Sequence, residues 1–67
     1  MSAQSEFYFA RAAEARADAE AATLDNVRDR CLRAAAAWIE MANRLERGER
    51  MREKLLAEKA ALVAQSD

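Results

Sequence analysis

The 67-residue sequence contains no histidine and no proline, and it has one glycine and one cysteine. Without histidine, the chain lacks the side chain that serves most often as a general base and as a metal ligand. One cysteine cannot form a disulfide within the chain, so we expect a reducing, cytoplasmic location. Nucleophile, zinc and phosphate-loop motifs are also missing. The composition predicts a non-enzymatic protein with no catalytic residues, no metal site and no cofactor.

Long apolar runs are absent as well. The longest run covers residues 34–39, and a charged residue closes it on each side. A helix needs about 20 apolar residues to cross a bilayer. No segment has the apolar stretch that is typical of a secretory signal. We therefore expect a soluble protein without a membrane partner.

The residues that are abundant, namely alanine, glutamate, arginine and leucine, favour helices throughout. Residues 23–26 form the one cluster of poor helix formers, which predicts a short turn and hence antiparallel neighbours. We predict an all-α antiparallel hairpin in one domain over residues 1–67. The first helix covers about residues 5–23 and the second about 25–64. Ser2 or Ser5 can cap the first helix, and Thr23 the second.

Gly48 leaves two architectures open. Glycine costs about 1 kcal/mol relative to alanine inside a helix, and it is also the usual residue just past a helix end. The charged residues around it are good helix formers without turn chemistry, which favours one long second helix. A break at Gly48 would instead give a three-helix bundle.

Apolar residues of the second helix recur at alternating steps of four and three, the spacing of one helix face. That stripe consists of Val27, Cys31, Ala34, Trp38, Met41 and Leu45. A second row lies beside it, formed by Leu32, Ala35, Ile39 and Ala42. The first helix repeats small residues at the same steps after a tyrosine: Tyr8, Ala12, Ala15, Ala19 and Ala22. We predict that these faces meet in a core centred on Trp38, in which Cys31 is an inert thiol.

The size of the chain favours self-association. A chain of about 60 residues buries only roughly 60% of the surface that its unfolded form exposes, and alanine contributes little burial. If the second helix is continuous, its end outruns the first helix and must find a partner on another chain. The side chains left without cover are Met51, Leu55, Leu56, Leu62 and Val63. We expect a homo-oligomer, with a dimeric four-helix bundle favoured.

The strongest candidate for binding a polyanion is a basic run on the second helix: Arg44, Arg47, Arg50, Arg52 and Lys54. Glutamates interleave this run, and alternating charges are typical of a solvated helix with salt bridges. The net charge is −1, which also argues against a dedicated nucleic-acid protein. We regard nucleic acid as an unlikely partner and keep it as the alternative.

Two spaced motifs carry a resemblance: Tyr8-x-x-Arg11-Ala12 in the first helix and Trp38-x-x-Met41-Ala42 in the second. Further matching positions between them are Ala22, Val27, Arg28, Leu32 and Ala35. Over about residues 8–47 the sequence resembles a group of short, uncharacterised bacterial proteins that form α-helical hairpins. The resemblance implies the fold, and it implies no particular activity.

Three hypotheses for function follow. The first is a small self-associating helical protein that acts through protein–protein interaction with a partner not identified by the sequence. The alternative is a small regulator that binds nucleic acid through residues 44–54. A third class is a subunit that completes the active site of another chain.

Overall fold

One short break separates two helices in this chain. The computed structural model describes residues 2–66 and contains α1, Ala3–Ala21, and α2, Asp25–Gln65. The predicted all-α hairpin is confirmed, with helix bounds within two residues of those expected. Residues 1 and 67 of the predicted domain lie outside the described residues.

The two helices differ greatly in length. At 1.5 Å per residue, the 41 residues of α2 span about 61 Å and the 19 residues of α1 about 28 Å. α1 packs back along the first half of α2, and the molecule measures 67 × 16 × 11 Å. The second half of α2 therefore extends beyond α1. Within residues 2–66, neither helix has a stretch long and apolar enough to cross a membrane.

Polar side chains define both ends of α1. Ser2 is its N-cap, and its hydroxyl oxygen accepts a hydrogen bond of 3.1 Å from the backbone N–H of Ser5. The Ser5 hydroxyl donates in return to the Ser2 carbonyl, at 3.0 Å. At the turn, the Arg28 guanidinium donates to the Ala22 carbonyl at 3.2 Å and pairs with the Asp25 carboxylate at 3.1 Å. Arg28 thus satisfies a carbonyl that the end of α1 leaves without a partner.

Two local predictions for these ends have opposite outcomes. The proposed cap at Ser2 is confirmed. The proposed cap of α2 at Thr23 is wrong, because Leu24 occupies the N-cap position and no side chain there makes a capping hydrogen bond. The link from Arg28 to both sides of the turn holds this junction instead.

The buried contact between the helices consists of small side chains. They recur every seven residues, and each is at most 3% exposed: Ser5, Ala12 and Ala19 on α1, and Ala35 and Ala42 on α2. Such side chains let two helix backbones approach closely. The predicted core centred on Trp38 is wrong in this respect, since Trp38 is only partly buried and flanks the line of alanines.

Gly48 lies inside α2 without interrupting it. No residue among those described has a positive φ, and the helix runs from Asp25 to Gln65. The three-helix alternative, with a break at Gly48, is therefore wrong. A Cβ added at this position would meet nothing within 4 Å.

We expect Gly48→Ala to raise the free energy of unfolding by up to about 1 kcal/mol, because it removes the poorest ordinary helix former from a helix interior. Thermal and denaturant unfolding followed by circular dichroism measures this change. The reverse substitution at an exposed position of the same helix, Ala57→Gly, is the matched control and should lower stability by a similar amount. A lower melting temperature for Gly48→Ala would contradict the expectation.

Candidate protein-interaction surfaces

The residues predicted for the core and for self-association fall into three groups around the interhelical contact. Four alanines are buried: Ala12, Ala19, Ala35 and Ala42. Most of the others are partly buried and flank this line: Tyr8, Ala15, Val27, Cys31, Trp38, Ile39 and Leu45. Leu32 and Met41 are exposed, so their predicted place in the core is wrong for the single chain. The large apolar side chains therefore lie along the edges of the hairpin.

An aromatic cluster covers one edge. The Trp38 ring lies 5.7 Å from the Tyr8 ring and 6.2 Å from the Phe7 ring, measured between centroids, and meets the Phe7 ring edge-on at 88°. The Arg11 guanidinium lies 5.6 Å from the Trp38 ring centre and forms an ion pair of 3.1 Å with Glu14. Edge-to-face aromatic pairs and cation–π contacts each contribute about 0.5–1.5 kcal/mol beyond simple burial. This cluster joins the first half of α1 to the middle of α2.

Phe7 and Arg11 were missed as members of this cluster. The sequence predicts the small residues of the first helix as the partners of Trp38, whereas the Phe7 ring lies tilted against Tyr8 and edge-on to Trp38. The spacing of four residues between Phe7 and Arg11 places them on one helix face and was the available signal. Phe7 is still 54% exposed, so the cluster also presents apolar surface to solvent.

We expect Trp38→Ala to reduce the free energy of unfolding by about 2–3 kcal/mol, less than the 3–5 kcal/mol typical of a fully buried aromatic. The loss comes from the contacts with two rings and a guanidinium. Trp38→Phe keeps part of the ring contact and should lose about half as much. Urea unfolding of the three proteins measures the difference. A Trp38→Ala value within about 0.5 kcal/mol of the wild type, as for an ordinary surface change, would show that the cluster does not hold the helices together.

The opposite edge of the hairpin carries a shallow groove. It is lined by Leu32, Ala35 and Ile39 from α2 and by Arg16 from α1. Its rim is polar, with Asn43 and charged residues on either side.

The part of α2 beyond α1 has no cover at all. Every described residue after Arg50 is exposed, and we call residues 51–65 the tail. Five large apolar side chains of the tail are between 55% and 67% exposed: Met51, Leu55, Leu56, Leu62 and Val63. This agrees with the expectation that a continuous second helix leaves its end bare. Contiguous exposed apolar surface of this kind marks interaction sites in soluble proteins.

Every residue of the basic run is exposed, as a solvated face requires. Arg44 pairs with Glu40 at 3.4 Å. Arg47, Arg50 and Lys54 follow one another at steps of three and four, so they share one face of α2. At 100° per residue, this face points away from Leu55 and Leu62, which share another. We call the row of Arg47, Arg50 and Lys54 the basic face, and only Lys54 of it belongs to the tail. The other two cations of the tail, Arg52 and Lys59, lie on its apolar side, between Leu55 and Leu56 around the helix axis.

Within residues 2–66, no three metal-binding side chains of the His, Cys, Asp and Glu types lie together. Cys31 is a free thiol, partly buried in a groove beside Ala34 and Trp38. The functional features that the described residues offer are thus the two hairpin edges, the tail and the basic face. Comparisons with protein-family models, with curated proteins and with solved structures found no match.

Proposed function

We propose that this protein is a non-enzymatic helical hairpin that forms a homodimer and acts by binding other proteins. The proposal rests on the exposure of the tail, whose large apolar side chains are all more than half exposed in the single chain. The lack of histidine and the shallow, open character of the grooves support a binding role. The single free cysteine suits a reducing compartment, so the proposal places the dimer in the cytoplasm.

Burial of the tail can drive the association. Removing the remaining exposed surface of one such side chain from water contributes about 1–2 kcal/mol, and a symmetric dimer covers ten of them. The sum is about as large as the roughly 4–15 kcal/mol lost in translational, rotational and side-chain freedom when two proteins associate. A second copy is the natural partner because a two-fold interface uses the same apolar patch on both subunits.

Dimer formation leaves other surface available. The groove beside Leu32 and Ile39 lies on the other edge of the hairpin from the aromatic cluster. Its polar rim and small apolar floor resemble the surface that transient protein interfaces use. In this proposal, the tail supplies self-association and the groove contacts a further protein.

We expect the wild-type chain to sediment at micromolar concentration with about twice its 7.5 kDa mass. The double substitution Leu55→Glu/Leu62→Glu should give a monomer, because it places charges on the apolar side of the tail. Ala57→Glu/Ala64→Glu is the matched control: it adds the same charge at the same seven-residue spacing on the opposite side of the helix. This control should remain dimeric, and circular dichroism should show that all three chains stay helical.

Two results would overturn the proposal. One is a wild-type chain that is monomeric and cooperatively folded at every accessible concentration. The other is a glutamate pair on the apolar side that leaves the dimer unchanged.

A second candidate function is binding of nucleic acid by the basic face. It is favoured by the row of Arg47, Arg50 and Lys54, which form no ion pair among the described residues. Three phosphate contacts on duplex DNA predict a slope of about −2.7 for log K against log salt concentration, since each neutralised phosphate contributes about −0.9.

Fluorescence anisotropy with labelled duplex DNA at several salt concentrations tests this function. We expect Arg47→Gln/Arg50→Gln/Lys54→Gln to abolish both the binding and its salt dependence. Absence of binding by the wild type at low salt would reject this candidate, and an unchanged slope in the triple variant would place the contacts elsewhere.

A further inference from the structure

A second apolar line runs along α2 beside the line that α1 buries. It repeats every seven residues over most of the helix: Val27, Ala34, Met41, Gly48, Leu55 and Leu62. Ala34 and Met41 each precede a residue of the buried alanine line by one position, which is about 100° around the helix axis. Ala42 is fully buried, whereas Met41 beside it is 37% exposed. α1 therefore buries the alanine line. The other line, which we call the open line, is partly buried at Val27 and Ala34 and exposed from Met41 onward.

We propose that a second copy of the chain lies antiparallel along this open line, so that each tail packs on the hairpin of the other copy. This inference rests on the self-association proposed above and specifies its orientation and register. It commits the apolar side of the tail to one occupant, the middle of the partner's α2. In this arrangement each half of α2 has a neighbouring helix: α1 and the partner's tail lie beside the first half, and the partner's α2 lies beside the second.

Charge selects the antiparallel orientation. A second row of residues alternates with the open line. It consists of Cys31, Trp38 and Leu45 and continues into the tail as Arg52 and Lys59. In a parallel, in-register dimer, each of these two cations would meet its own copy inside the interface, and like charges at such positions are destabilising. In an antiparallel pair, the same two positions meet members of the apolar line instead.

Overlap and size select the register. When residues 28–65 of the two copies overlap, which is nearly the whole of α2, Trp38 opposes the partner's Leu55 and Leu45 opposes the partner's Gly48. Lys59 then opposes the partner's Ala34, whose small side chain leaves room for the lysine stem to reach water. A shorter overlap that pairs only the two tails would leave Met41 exposed.

The repeat length is consistent with a long contact. A line of residues spaced strictly by seven drifts about 20° per repeat around a straight α-helix, so it stays in one contact only if the two helices coil around each other with a left hand. Five successive repeats on α2 obey this spacing. Leu56 and Val63 each follow a member of the line by one residue and widen the apolar contact at its edge.

Cross-linking through cysteine tests orientation and register. In the proposed dimer Cys31 opposes the partner's Leu62, so the Leu62→Cys chain should form a covalent dimer with a short bis-maleimide. Ala61→Cys is the control, because its side chain lies on the other side of the helix, and it should not cross-link. The wild type should not cross-link either, since the two Cys31 thiols would be about 46 Å apart along the antiparallel pair.

A second pair tests the same register without removing a leucine. Ala34→Cys/Lys59→Cys in a Cys31→Ser background should cross-link as well. A covalent dimer of the wild type through Cys31 would show a parallel pair. Sedimentation separates the two proposals: a dimeric protein in which neither pair cross-links overturns the antiparallel register and leaves self-association intact, whereas a monomeric wild type overturns both.

Discussion

The close contact between α1 and α2 through small side chains determines the rest of this structure. Serine and alanine occupy every seventh position of this contact and are its buried residues. Alanine has only a methyl group to bury, so this contact supplies less apolar burial than leucines would. The side chains along the edges therefore supply much of the apolar contact within the single chain.

The edges show how this constraint acts on individual residues. Trp38 lies beside the alanine line, at one edge of the hairpin, and its ring contacts Phe7, Tyr8 and Arg11 there. Ile39 lies on the other edge. At the far end, α1 begins at the Ser2 cap while α2 continues for several more turns. The hairpin thus has a small, closely packed centre and a long helix that α1 covers over only half its length.

The architecture could be predicted because it depends on local signals. Residues 23–26 disfavour a helix, and nothing around Gly48 supplies turn chemistry, so two helices of unequal length follow. The apolar residues of a continuous α2 fall into two adjacent rows by their spacing alone. Which row faces α1 could not be predicted, because Met41 and Ala42 belong to adjacent rows with the same periodicity. The predicted core contains both rows, whereas the alanine-rich α1 buries only Ala35 and Ala42, which belong to the row with the smaller side chains at the contact.

The candidate surfaces were predictable in part for the same reason. The exposed tail follows from helix length alone, since α1 has too few residues to reach Leu55 or Leu62. The cluster around Trp38 was not predictable in detail. Periodicity indicates which helix face a residue occupies, but it does not indicate which aromatic ring contacts the other helix. The pairing of Arg28 with Ala22 across the turn depends on a long side chain whose path no spacing rule defines.

The two proposed functions become unequal once the faces of α2 are considered together. The row of Arg47, Arg50 and Lys54 lies on the side of the helix away from the open apolar line, so in an antiparallel dimer it points outward from each copy. The rows of the two copies then lie on opposite sides of the assembly, and a single duplex reaches only one of them. Dimer formation therefore adds little to the affinity for a polyanion, because the second row cannot engage the same molecule. In the same proposed dimer, the open apolar line is in contact with the partner's α2. Self-association is therefore the proposed function that the surfaces of α2 support best.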